Sequence, residues 1–152
     1  MRRRTTPEER AAPAELPGDH LVLNLQRKHA VDPKRIRRFL SQLVVHLGRP
    51  ESSCTVVFMN DKLMRTYNRK YRGQDKPTDV LSFSGEDDYF GDILISTETA
   101  YNQARKSPTL TFESNIHRLV LHGLLHLAGY DHETDDGEMR AIERRLRRRF
   151  RC

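Results

Sequence analysis

Tryptophan, cysteine and long apolar runs are scarce or missing in this sequence. The 152 residues include no tryptophan and two cysteines, and the apolar fraction of 36% is nearly matched by 32% charged residues. A membrane-spanning helix needs about eighteen or more apolar residues in succession, and no stretch approaches that length. The composition therefore argues against an integral membrane protein and is typical of a globular protein with a large water-exposed surface.

The few cysteines also argue against a fold held together by disulfides. Cys54 lies in an apolar run that ends at Met59, and Cys152 is the last residue. A bond between a core strand and a chain end is not expected. The basic segment from Met1 to Thr6 has no apolar stretch behind it, so it does not resemble a secretory signal. We therefore expect a reducing, cytoplasmic location.

Positive charge exceeds negative charge, with 27 Lys and Arg against 21 Asp and Glu and a net charge of +6. Much of the excess lies at the C-terminus, in Arg140, Arg144, Arg145, Arg147, Arg148, Arg149 and Arg151. Cations stabilise the C-terminal end of a helix, but this cluster is denser than a helix dipole requires. Clustered arginines are typical of proteins that bind polyanions, so we predict contact with RNA or the ribosome.

The pattern of apolar residues predicts an α+β fold in one domain. Residues 1–18 are rich in Arg, Glu, Pro and Ala and are predicted to be a disordered extension, with a single domain over 19–152. Strands are predicted over 21–25, 54–59, 80–83 and 93–95. Helices are predicted over 33–47, after 59, and over 97–106, 112–128 and 137–150. This order implies a mixed sheet of about four strands with about five helices packed on it.

Three of the seven histidines lie within eleven residues, at positions 122, 126 and 132. His122 and His126 are four residues apart on a predicted helix, so both rings leave the same face about 6 Å apart along the axis. On a continuous helix His132 would lie about 15 Å beyond His122, whereas zinc–nitrogen bonds are about 2.0–2.1 Å long. A left-handed residue at Gly129 would end the helix and let the chain turn back.

Three neutral imidazoles leave one tetrahedral position open, which is the pattern of a catalytic zinc site. The predicted site lies at the end of a central helix, and one Zn²⁺ per chain is expected, although iron, manganese and nickel also accept imidazole. In H-E-x-x-H peptidases the residue after the first histidine is the general base. Here that residue is Gly123, which argues against a peptidase.

The run H-G-L-L-H-L-A-G-Y-D-H resembles the YbeY family of bacterial endoribonucleases and rRNA maturation factors. The segment from Asn68 to Phe83 resembles the family's second block, and Gly91-Asp92-Ile93 its third, so that the match covers about residues 20–150. The arginine-rich C-terminus lies outside the recognisable pattern. The resemblance implies hydrolysis of single-stranded RNA, maturation of the 3′ end of small-subunit rRNA, and ribosome quality control.

The resemblance also assigns roles to residues. His122, His126 and His132 match the zinc ligands, and Arg72 matches an arginine that serves activity, so that Arg72 and His122 are the expected catalytic residues. A guanidinium stabilises the negative charge that phosphodiester cleavage gathers on the non-bridging oxygens, provided that the predicted turn over 71–79 folds over the metal. Alternatively, Arg72 pairs with Asp75 or Asp79.

Several points stay open at the level of sequence. The nucleophile is either a water whose pKa zinc lowers to about 7 or the 2′-hydroxyl of the RNA, and no general base is evident. Asp79 and Asp131 are candidates to orient a ligand histidine. The alternative functions are a non-catalytic, zinc-stabilised ribosome-assembly or RNA-binding factor and, less favoured, a metallopeptidase. We expect neither a membrane nor DNA as a partner.

Overall fold

The computed structural model describes residues 19–131 and 135–152. Within these ranges the elements follow the order β1 (Leu21–Asn24), α1 (Pro33–His46), β2 (Ser53–Met59), α2 (Asp61–Arg72), β3 (Val80–Ser84), β4 (Tyr89–Ser96), α3 (Thr97–Arg105), α4 (Phe112–Leu127) and α5 (Glu138–Phe150). The predicted α+β fold with four strands and five helices is confirmed. The predicted disordered extension over 1–18 lies outside the described residues.

The four strands form one mixed sheet in the order β1-β2-β4-β3. β1 and β4 both run parallel to β2, and β3 pairs antiparallel with β4. The first two strands therefore form a parallel pair and the last two a hairpin, which agrees with the predicted mixed sheet. Because β4 pairs with both β2 and β3, β3 lies at the edge of the sheet. One side of β3 is therefore left free to line a cleft.

Local capping explains where α1 begins and ends. The Asp32 carboxylate accepts from the backbone N–H groups of Lys34 and Arg35, at 3.1 and 3.4 Å, and Pro33 occupies the first turn. Both features are typical of a helix start, and α1 begins at Pro33 as the sequence predicts. At the other end, Gly48 has a φ of +73° and its N–H donates to the carbonyl of Val45, which ends the helix as expected for a left-handed glycine.

Apolar side chains are buried on both faces of the sheet. The larger cluster includes strand residues such as Val56, Phe58 and Ile95, packed against apolar side chains of α1, α4 and α5. The smaller cluster lies beneath α2 and consists of Met59, Met64, Leu81 and Leu94. The helix α4 contacts both β3 and β4 as well as α1, α3 and α5, so it is the central helix of the fold.

Both cysteines are free thiols. Cys54 is fully buried in β2, and burial, together with the nearby Asp92 charge, raises the pKa of its thiol to about 12. The sequence prediction that Cys54 is a core residue is confirmed. Across the described part of the chain, no helix combines the length and apolar character needed to cross a membrane.

Candidate active site

The helix α4 carries two histidines whose ring nitrogens meet. Thr111 and Ser114 form a capping box that begins the helix, and the four-residue spacing brings His122 and His126 onto one face. Their Nε2 atoms are 3.1 Å apart, and the ring centroids are 4.7 Å apart with planes at 76°. A tetrahedral zinc with bonds of about 2.0–2.1 Å holds two ligand nitrogens about 3.3 Å apart. This pair therefore fits a shared divalent metal.

The other nitrogen of His122 points to a carboxylate on α5. The Nδ1–H of His122 donates to Oε1 of Glu143 at 3.1 Å, and the two side chains are 27% and 17% exposed. A carboxylate acceptor at Nδ1 favours the tautomer whose lone pair is on Nε2, the atom that faces His126. Glu143 therefore favours the tautomer in which His122 could bind a metal.

Glu143 is a partner of the site histidines that the sequence prediction missed. It lies four residues after Met139 and three before Leu146, both of which are buried. A carboxylate within the apolar stripe of an amphipathic helix needs a polar partner in the interior, and that position was the available signal. The partner itself was not predictable, because it lies 21 residues away on another helix.

The end of α4 is a left-handed turn at Gly129, as the sequence predicts. Gly129 has a φ of +98°, its N–H donates to the carbonyl of His126 at 3.0 Å, and the N–H of Tyr130 donates to the carbonyl of Leu125 at 3.0 Å. These two bonds form a Schellman motif. His132 lies outside the described residues, so its place in the site stays a prediction. Among the described residues, no cluster of three potential metal-ligating side chains occurs.

Close packing around position 123 leaves room only for glycine, and this also bears on peptidase chemistry. A Cβ at this position would lie 2.7 Å from Cγ2 of Ile93 and 3.1 Å from Oγ of Ser82. The carbonyl of Gly123 accepts from that Ser82 hydroxyl at 3.2 Å. The residue after the first histidine thus faces the sheet at close range, and a glutamate base has no room there. The geometry agrees with the sequence argument against a peptidase.

An open cleft of about 530 Å³ joins the histidines to the other predicted site residues. It is lined by the free edge of β3, by the end of α4 and by α2, through Arg72, Thr78, Asp79, Val80, Leu81, Ser82, Ser84, His122, His126, Leu127 and Asp131. The structure therefore brings both expected catalytic residues, Arg72 and His122, and both orienting candidates, Asp79 and Asp131, into one cleft.

Arg72 reaches this cleft from a helix and not from a turn. The turn predicted over 71–79 begins two residues later, because α2 continues to Arg72 and ends at Gly73, whose φ is +67°. Asp75, which is one predicted partner of Arg72, instead receives two hydrogen bonds from Arg65 at 2.8 and 2.9 Å. Across the described ranges, no carboxylate lies within ion-pair distance of Arg72.

The carboxylate of Asp79 has partners other than a histidine. Its Oδ1 accepts from the N–H of Val80 at 2.7 Å, and its Oδ2 accepts from Nε2 of Gln103 at 3.0 Å. Asp79 therefore lies directly before β3 and links it to α3. Asp131 lines the cleft after the Gly129 turn, and its role toward a ligand histidine stays a prediction.

Comparisons with known proteins find relatives that cover most of the chain. The family model described as Endoribonuclease YbeY matches residues 21–151, which include the arginine-rich last helix. Among curated proteins named Endoribonuclease YbeY, that of Geobacter sulfurreducens is 37% identical over 138 residues, covering 85% of this chain and 91% of the relative. That of Aquifex aeolicus is 37% identical over 117 residues, covering 74% and 77%.

A solved structure extends the comparison to the fold. The solution structure of TM1509 from Thermotoga maritima superposes with a TM-score of 0.64 at 28% identity, covering 88% of this chain and 92% of that protein. The sequence motifs, the family model and the curated relatives thus span the same domain, from the first strand to the last helix. On these grounds the chain belongs to the endoribonuclease YbeY family.

Proposed function

We propose that this protein is a zinc-dependent endoribonuclease that cleaves single-stranded RNA. In the cell it would act in the cytoplasm on the 3′ end of small-subunit rRNA and in ribosome quality control. The observation that carries the proposal is the 3.1 Å approach of the His122 and His126 Nε2 atoms within a cleft that Arg72 also lines. Membership of an endoribonuclease family supports the reaction class.

The two histidines of α4 and, in this proposal, His132 would hold the zinc. When bound, the ion would supply a Lewis acid beside the scissile phosphate. Glu143 keeps the proton of His122 on Nδ1, so the lone pair on Nε2 stays directed into the cleft. The neighbouring α2 and α5 helices fix these groups before RNA binds, which reduces the reorganisation that catalysis requires.

Arg72 would bind the phosphate oxygens on which negative charge accumulates during cleavage. A guanidinium presents parallel N–H donors that match two phosphate oxygens at once. Arg72 is exposed at the end of α2, and no carboxylate in the described part of the chain neutralises it. Its charge is therefore available to the substrate, and its effect is expected mainly on the rate of cleavage and less on RNA affinity.

The outer face of α5 would add affinity for RNA or the ribosome. Arg144, Arg145, Arg148 and Arg149 line a shallow groove around Ala141 and are not within ion-pair distance of any described carboxylate. Like charges three and four residues apart destabilise a helix by about 0.2–0.5 kcal/mol per pair. A polyanionic partner offsets that repulsion, which supports a phosphate backbone as the ligand of this face.

The test compares two histidines of the same helix. His126→Ala is expected to lose bound zinc and cleavage of a single-stranded RNA oligonucleotide. His117→Ala, also on α4 but lining a different cleft, is the matched control and should keep both. If His126→Ala cleaves as well as the control, the activity belongs to a contaminant and the proposal fails.

Arg72→Ala separates the enzyme from a non-catalytic RNA-binding factor. A catalyst should lose most of its turnover and keep most of its affinity for RNA, because one phosphate contact contributes little to the total binding. If the wild-type protein shows no turnover at any zinc concentration yet binds RNA, the non-catalytic alternative is correct.

A further inference from the structure

Tyr71 is an exposed aromatic residue directly before Arg72. Its side chain belongs to the last turn of α2 and is 54% exposed, more than any other aromatic residue among the large exposed apolar side chains of the described chain. The ring is nevertheless held in place by its neighbours. It meets the ring of Phe83 edge to face with centroids 5.0 Å apart, and lies nearly parallel to the ring of Tyr67 at 6.1 Å.

The contact with Phe83 places Tyr71 beside β3, on the face of the strand that is turned away from the cleft. Phe83 lies on β3 between Ser82 and Ser84, and both serines line the cleft on the other side of the strand. Successive side chains of a strand point to opposite faces, so β3 separates the Tyr71 ring from the cleft by the thickness of one strand. A ligand that crosses the edge of β3 would meet Arg72 and then Tyr71.

One cation lies near the ring and a second belongs to the next residue. Nζ of Lys70 lies 5.2 Å from the Tyr71 centroid, and Arg72, which lines the cleft, follows in sequence. An aromatic ring with a cation beside it and another at the next residue is suited to a ligand that alternates flat apolar groups with negative charges. Single-stranded nucleic acid has that structure, with a base and a phosphate in every nucleotide.

We propose that Tyr71 is a stacking platform for one unpaired nucleobase of the RNA, next to the phosphate that Arg72 binds. This inference rests on the proposed function and explains why the protein would select single-stranded over double-stranded RNA. A base within a duplex is already stacked on both sides and does not reach the ring, whereas an unpaired base does. Because Tyr67 and Phe83 already pack against the ring, the Tyr71 side chain loses less conformational entropy when a base stacks on it.

The test removes the ring and the base independently. Tyr71→Ala should raise the KM for an eight-nucleotide single-stranded RNA by about ten- to a hundredfold, the range expected for loss of one base–aromatic stack. Tyr71→Phe keeps the ring and should restore the wild-type KM. Tyr101→Ala removes a tyrosine of comparable exposure (41%) on α3, whose ring packs against His29 and Phe112 and not against Phe83 of β3, and serves as the matched control.

An abasic nucleotide placed at each position in turn identifies the stacked base. With the wild-type protein, one abasic position should raise KM by a similar factor, and in Tyr71→Ala that same position should have no further effect. If Tyr71→Ala weakens intact and abasic RNA equally at every position, the ring has only a structural role and the platform is refuted.

Binding measurements keep this inference separate from the proposed function. If the wild-type protein binds the oligonucleotide without cleaving it, the proposed function fails. Fluorescence anisotropy then tests the platform by comparing the affinities of wild type and Tyr71→Ala for the intact and the abasic oligonucleotides. Affinity that does not differ between wild type and Tyr71→Ala for either RNA would overturn the inference while leaving any cleavage activity unaffected.

Discussion

The contact between His122 and Glu143 has the largest consequence for the site at the scale of single residues. The sequence offers Asp79 and Asp131 as candidates to orient a ligand histidine, whereas Asp79 instead accepts from the Val80 N–H and Gln103. Glu143 comes from a different helix. The choice between carboxylates depends on how α5 packs against α4, and a single sequence does not encode that packing in any local pattern.

Glu143→Gln is expected to weaken zinc binding by about tenfold or more, because the histidine loses its anionic hydrogen-bond acceptor while keeping a neutral one. Competition with a chromophoric chelator measures the zinc Kd. Glu138→Gln, an exposed glutamate of the same helix, is the charge-matched control. Equal zinc affinity in both variants would show that Glu143 does not support the metal site.

Another buried histidine, His20, makes the fold sensitive to acid. Its Nδ1 accepts from the N–H of Cys54 at 3.2 Å, and its Nε2 has no hydrogen-bond partner in the part of the chain that the structure describes. Burial lowers the pKa of His20 below its ordinary value of 6.5, and the Asp19 charge only partly opposes this. His20 is therefore neutral in the folded protein.

Below pH 6.5 the unfolded chain binds a proton at His20 more readily than the folded chain does. The free energy of unfolding should consequently decrease as the pH falls through and below that value. His20→Gln removes this titration and keeps an acceptor for Cys54, so its stability should depend less on pH. Urea denaturation between about pH 7 and 5 checks this, with His46→Gln, an exposed histidine, as the control. Parallel pH profiles for wild type and His20→Gln would contradict the assignment.

Helix ends are the most predictable features at the scale of elements. The helix predicted over 33–47 begins at Pro33 and is followed by the left-handed Gly48, and Gly129 ends α4 as the sequence predicts. The sequence predicts the end of α2 too early, because the polar residues around it favour a turn. Tyr71 lies four residues after Tyr67 on the same face, and the left-handed Gly73 marks the true end.

Gly129→Ala and Gly48→Ala form a matched pair. Both glycines have a positive φ, both end a helix with the same pair of backbone hydrogen bonds, and a Cβ added at either would meet no atom of the described residues within 4 Å. Each substitution should lower the free energy of unfolding by about 1 kcal/mol through the left-handed backbone. Only Gly129→Ala should also weaken zinc binding, because only Gly129 directs the chain toward His132. Equal zinc affinity in the two variants would show that the turn does not contribute to the site.

The order of strands is the feature of the whole molecule that the sequence does not reveal. The apolar runs predict four strands and a mixed sheet, but they do not specify that β4 inserts between β2 and β3. That insertion moves β3 to the edge and creates the cleft between β3, α2 and α4. Strand order depends on long-range pairing, which no local periodicity encodes.

The net charge of +6 predicts that RNA binding weakens steeply with salt. Arg145→Gln with Arg149→Gln should reduce the slope of log affinity against log salt by about 0.7 for each phosphate that is no longer bound. The control is Arg105→Gln with Lys106→Gln, which removes the same charge from exposed positions at the end of α3. If both double variants change the slope equally, the α5 groove has no specific role and only net charge matters.

We propose that the zinc site is catalytic and has one position open to solvent. The sharpest test is to measure how zinc is coordinated in the zinc-loaded protein. X-ray absorption spectroscopy of the wild type should show three imidazole nitrogens at about 2.0–2.1 Å and one oxygen from solvent. The variants His122→Ala, His126→Ala and His132→Ala should each lose most of the bound metal. A spectrum with only two imidazoles, or with a fourth protein ligand in place of solvent, would contradict such a site.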